Sequence, residues 1–155
     1  MIRDPSLLES LRNQVDSVAI DSSTGQRTFD LQRLINLPLL QSVYTEVMRL
    51  HVSINVTREV VQPLEVEGYM LTPGSILQAP TELAHLNESV WGAEGHPAGE
   101  FWAERNIKWV EEPETGKRVP VFEVRGRPTD WFPYGELSSP FAVLPLLLLR
   151  EVIGG

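Results

Sequence analysis

The sequence predicts an α+β chain made of two amphipathic helices, a small antiparallel sheet and a long irregular meander. Three observations lead there. Apolar residues recur at helical spacing over residues 5 to 19 and again from about Pro38 to His51. The period then changes between Val56 and Ala79, where Glu67-Gly68 and Pro73-Gly74 punctuate β-rich runs. Residues 87 to 135 are rich in Pro, Gly and aromatic residues and keep no sustained period.

The first helix begins where Asp4 offers a cap, Pro5 suits the first turn, and Ser6-Leu7-Leu8-Glu9 forms a capping-box pattern. Leu8, Leu11, Val15 and Val18 give it one apolar face over residues 5 to 19, and the polar run Asp21-Ser22-Ser23-Thr24 before Gly25 ends it. In the second helix Leu39, Val43, Val47 and Leu50 form an apolar stripe, and Glu46 falls inside it. A carboxylate on that face is expected to be buried, and an unpaired buried charge is costly, so a cationic partner is required. Arg49, three residues on, reaches the same face, and a third group, another Arg, is expected to complete the desolvated cluster.

Thr57-Arg58-Glu59-Val60-Val61, Leu64-Glu65-Val66 and Tyr69-Met70-Leu71 read as strands joined by tight turns, giving one small sheet. Thr81 to Leu86 reads as a short helix. Beyond it, Glu111 to Arg118, with Pro113 and Gly116, reads as a solvated loop between the apolar runs Ile107 to Val110 and Val119 to Val124.

Composition narrows the function classes. A chain of 155 residues, 42% hydrophobic and 22% charged, fits one globular domain and is long enough to bury roughly 70% of its unfolded surface. Its formal charge of −8 argues against nucleic acid as a partner, because that affinity comes mainly from Lys and Arg. With no cysteine there is no disulfide and no thiolate nucleophile or ligand. No secretory leader is recognisable, and the longest apolar stretch, Phe141 to Leu149, is too short to span a membrane, so no membrane anchor is expected. His51, His85 and His96 read as a helix-end, a packed and a loop histidine, at spacings that suit no common metal motif.

By itself Glu46-Val47-Met48-Arg49 is a tetrapeptide that exposed helices carry by chance. Its distinction is the ordered set of residues downstream: Arg58 in a β-run, Pro73-Gly74, Ala84-His85 before Val90-Trp91-Gly92, Phe101-Trp102-Ala103-Glu104-Arg105, and Phe132-Pro133-Tyr134-Gly135. This set, covering about residue 4 to Gly135, resembles the cytochrome P-450 family of heme-thiolate monooxygenases. The resemblance implies a fragment of a mainly helical fold, with residues 5 to 19 as helix J, Leu34 to Gln41 as the lead-in to helix K, and Glu46 and Arg49 on helix K itself. It implies heme as cofactor, a small apolar substrate that receives one oxygen atom, and an electron-donating reductase as partner.

It also assigns roles. Glu46, Arg49 and Arg105 form a structural trio that fixes helix K against the meander; no catalytic residue is assigned. Arg58 is the heme-propionate ligand, against the plain alternative of a surface Arg on an edge strand. Val52 to Thr57 line the substrate pocket, with Ile54 and Val56 presenting apolar groups. Arg49-Leu50-His51-Val52-Ser53 followed by Thr57-Arg58 is similar to the branch containing sterol 7-alpha-hydroxylases and prostacyclin synthase.

The agreement stops after Gly135. Leu137 stands at a glycine position of the heme-binding loop, and Phe141, Ala142 and Val143 stand where Cys-Pro-Gly should be. The expectation is therefore a partial family domain over residues 1 to 135 and an unrelated tail over 136 to 155. Intron read-through is one origin for such a tail, since Gly135-Glu136 can be encoded around a splice-donor consensus. Beginning near helix J, the chain is expected to lack the family's anchor, most substrate-recognition segments and helix I. The chain alone is expected to be inactive. Two other readings are a non-catalytic interaction protein and a truncated product without function of its own.

Overall fold

The structure is a computed structural model that describes residues 4–21, 27–125, 130, 131 and 133. Helix α1 (Pro5–Asp16) starts as expected, with the Asp4 carboxylate accepting from the Ser6 and Leu7 amides. It ends three residues before the expected boundary. The reason is tertiary: Ala19–Asp21 is strand β1, paired antiparallel with β2 (Arg27–Phe29), so Ala19 faces Phe29 across a ladder. The expected loop at 22 to 25 lies outside the described residues.

A short helix α2 (Leu31–Leu34) follows, with Asp30 accepting from the Arg33 amide. Helix α3 (Pro38–His51) has the bounds read from the sequence. Its buried face does not coincide with the expected apolar stripe. Leu39 is buried, but Val47 is 43% exposed, and the residues sealed from solvent are Ser42, Thr45, Glu46 and Arg49. The helix is rotated so that a polar strip, spaced three and four residues apart, points inward.

Strands β3 (Asn55–Glu59), β4 (Leu64–Val66), β5 (Tyr69–Leu71) and β6 (Ile76–Pro80) occupy the expected region. They form two separate two-stranded ladders, β3 with β6 and β4 with β5, where one sheet was expected. The β4–β5 connection is two residues, Glu67 and Gly68, both at positive φ (49° and 81°), which matches the right-handed twist of the strands it joins. Helix α4 (Thr81–His85) matches the short helix, and α5 (Glu88–Trp91), capped by Asn87, follows it. The meander is more regular than expected. Its two apolar runs are strands β7 (Ile107–Glu111) and β8 (Arg118–Phe122), paired from Ile107–Phe122 to Glu111–Arg118.

These elements fall into two compact units. The first comprises residues up to Met48 together with Glu100–Arg125, and the second comprises Arg49–Gly99 with the residues from Gly126 onward. In the first, Gln14 of α1 accepts from the Leu39 amide at 3.2 Å, tying α1 to the start of α3. In the second, Thr81 and Ile54 exchange two hydrogen bonds, Ile54 N–H to Thr81 Oγ1 and Thr81 N–H to Ile54 O. Val60, 1% exposed, follows β3 and extends its pairing toward β6: its amide donates to the Ser75 carbonyl and its carbonyl accepts from the Gly74 amide.

Candidate functional site

In the first unit, Glu46 and Arg105 meet with both side chains fully buried. Arg105 Nε donates to Glu46 Oε1 at 2.8 Å, and the Trp102 amide donates to the same oxygen at 3.2 Å. Arg105 Nη2 donates to the Glu100 carbonyl at 2.8 Å, and its guanidinium lies 5.5 Å from the Trp102 ring centroid. Charge, donors and ring thus offset the desolvation of a pair that a bare ion pair would not repay. Four residues earlier on α3, Ser42 Oγ accepts from the Asn106 amide at 3.1 Å. The inner face of α3 is therefore a row of polar anchor points for the segment 102–106.

In the second unit, Arg49 is 2% exposed and donates through Nη1 to the His85 carbonyl at 2.7 Å, with its guanidinium 5.3 Å from the Trp91 ring centroid. Trp91 is fully buried, and its indole N–H donates to the Ala84 carbonyl. The His85 ring stacks at a tilt on Trp131, with centroids 5.2 Å apart, and Trp91 meets Trp131 edge-on at 6.1 Å. Burial holds the His85 imidazole below its ordinary pKa. The Arg49 charge adds to this, while hydrogen bonding with the Val52 and Arg49 backbone opposes it. Gly92 is required here, because a Cβ would collide with the Glu88 carbonyl and carboxylate, and that carboxylate holds the Ala98 amide at 2.7 Å.

Val56 and Arg58 alternate along β3, opposite Ala79 and Leu77, and Ile54, the residue before the strand, continues the same half-buried alternation. Arg58 Nη1 donates to the Thr57 carbonyl, and no carboxylate pairs with the guanidinium among the described residues. His51 is the exposed last residue of α3, and His96 lies in a bridge with Ala93. The expected loop residues Phe132 and Tyr134 to Gly155, including Phe141 at the cysteine position, lie outside the described residues.

The structure brings Glu46 and Arg105 together, and puts Ile54, Val56 and Arg58 at alternating half-buried positions. Sequence reasoning missed the participation of Ser42, Asn106 and Glu88. One signal for Ser42 was available, since it lies one helical turn before Glu46 on the same face.

Residues 1–96 match the Cytochrome P450 family. The chain belongs to the cytochrome P450 family. It is 48% identical over 136 residues to the cytochrome P450 monooxygenase calL of Penicillium decumbens, an overlap that is 87% of this chain and 24% of calL. It is 28% identical over 156 residues to the cytochrome P450 monooxygenase efuG of Hormonema carpetanum, covering 86% of this chain and 28% of efuG. It is 27% identical over 150 residues to steroid 21-hydroxylase of Homo sapiens, covering 96% and 28%. The P450 chain thus spans about a quarter of the length of the curated relatives it matches. Heme is the cofactor of this family, and its members are oxidoreductases. No helix among the described residues is long and apolar enough to cross a membrane.

Proposed function

We propose that this chain carries the helix K, sheet and meander portion of a heme-thiolate monooxygenase that inserts one oxygen atom into a small apolar substrate. Helix α3 corresponds to helix K and α1 to helix J in this reading. The observation that carries it is β3: a cation without a carboxylate partner among the described residues, on the same half-buried strand face as two aliphatic side chains. That face suits a heme propionate at Arg58, through a charge-assisted contact, with apolar substrate beside Ile54 and Val56. Glu46, Arg49 and Arg105 serve as scaffold, since fully buried groups locked into fixed hydrogen bonds have no route to move a proton to substrate.

The iron end does not fit. A sequence without cysteine offers no thiolate, the ligand whose electron donation favours O–O cleavage, so no chemical step is assigned to this chain alone. Residues 1 to 135 form the partial domain and 136 to 155 the unrelated tail in this reading. The finer kinship with sterol 7-alpha-hydroxylases and prostacyclin synthase rests on Arg49 to Ser53 and Thr57-Arg58. An electron-donating reductase would be the partner of the intact enzyme.

Hemin titration of the full chain, followed by a carbon monoxide difference spectrum, tests this. Hemin uptake weakened by Arg58→Ala and a spectrum without thiolate character are expected. A thiolate-type spectrum would overturn the inactivity of the chain, and uptake indifferent to Arg58 would overturn its role.

A second reading, an interaction protein, is favoured by one feature of the second unit: Tyr69 and Leu83 are each 74% exposed, and Met70 is 64% exposed. Co-expression with a heme enzyme followed by size-exclusion separates the two readings.

A further inference from the structure

Asn106 follows Arg105 directly and is 1% exposed. Its backbone amide donates to Ser42 Oγ at 3.1 Å, its carbonyl accepts from the Glu123 amide at 2.9 Å, and its side-chain Oδ1 accepts from the Arg125 amide at 3.0 Å. One residue therefore joins the inner face of α3 to two positions just beyond the end of β8. Its Nδ2 is buried and has no hydrogen-bond partner among the described residues. An orphaned buried donor of this kind is destabilising. An apolar side chain of similar volume would avoid that penalty, so packing alone does not favour asparagine here. The asset that only the amide supplies is the acceptor oxygen aimed at Arg125.

Arg125 is the last residue of the first unit, and the chain passes at Gly126 into the second. We propose that Asn106 is a positioning residue whose side-chain oxygen clamps the chain at Arg125, holding the end of the first unit to the inner face of α3. The clamp is anchored at its other end on Ser42, one helical turn from Glu46. The same face of α3 that holds Arg105 thus also holds Arg125 through Asn106. The clamp stands on these contacts alone and does not rest on the proposed function.

Residue-resolved hydrogen exchange on the full chain tests it. In Asn106→Leu the Arg125 amide should exchange about tenfold faster, the scale of one net hydrogen bond. The Glu123 amide, held by the backbone carbonyl of residue 106, should stay slow, and the thermal midpoint should not fall. Asn106→Asp, followed at mildly acid pH where a buried carboxyl is neutral and still offers an acceptor oxygen, should restore slow exchange at Arg125 relative to the leucine variant at the same pH. Unchanged exchange at Arg125 in the leucine variant overturns the proposal. So does faster exchange at all amides together, which would make Asn106 a general core residue, or an aspartate variant as fast as the leucine one. Hemin titration of the same variants keeps the two readings apart: a wild-type chain that takes up no hemin counts against the proposed function and leaves the exchange result to decide the clamp.

Discussion

Glu46 illustrates how far a single residue can be argued before its surroundings are known. A carboxylate at a core-facing helical position demands a cation, and Arg105 stands 2.8 Å away with both side chains sealed from solvent. What the sequence could not show is that Trp102 and Glu100 backbone groups complete the cluster, because those contacts depend on where a periodless segment lies. Removing one partner strands the other charge, so Arg105→Leu should cost about 3–5 kcal/mol. The double variant Glu46→Leu, Arg105→Leu should recover most of that loss. Urea unfolding of the three variants checks it, and a single substitution costing under about 1 kcal/mol would refute the buried-pair account. His85 gives a second prediction. Its folded pKa lies below the ordinary 6.5, so the unfolded chain binds the proton more readily. Its contribution to stability is complete above about pH 6.5 and is lost as pH falls below that value. A pH series of thermal midpoints should show this loss diminished in His85→Phe.

Among the elements, α3 was legible to the residue because a proline start, fourteen residues of helical period and a basic last turn agree with one another. Its rotation was not legible. Period marks which residues share a face, but the burial of Ser42, Thr45 and Arg49 over Val47 is decided by partners distant in sequence. The early end of α1 has a similar cause: β1 gains a ladder with β2 that no local pattern near Val18 announces. Helix α5 could have been seen, since Asn87 followed by Glu88 is a capping signal. Its end is set by Gly92. Alanine there would force a methyl group against the Glu88 carbonyl, and overpacking of this kind costs about 1–3 kcal/mol. Gly92→Ala should lower stability by that amount in urea and speed exchange of the Ala98 amide, which Glu88 holds.

On the scale of the molecule, a small α+β chain with more polar than apolar groups at its deepest described positions leaves much apolar surface outside. Ile76 is 60% exposed, and Tyr69 and Leu83 more so. The net charge of −8 opposes self-association through repulsion that salt screens. Sedimentation velocity should therefore show association rising with ionic strength, and Tyr69→Lys combined with Leu83→Lys should keep the chain monomeric at the same salt. Association falling with salt would contradict this. The long reach of the central ion pair carries one more consequence. Arg105 lies 59 residues beyond Glu46, so their contact closes a long loop whose entropy must be met before any reward arrives. During synthesis α3 emerges with its polar row still wet. Glu46 gains its Trp102 and Arg105 donors only once the ribosome has delivered residue 105, and any product ending short of it lacks the guanidinium that closes the loop.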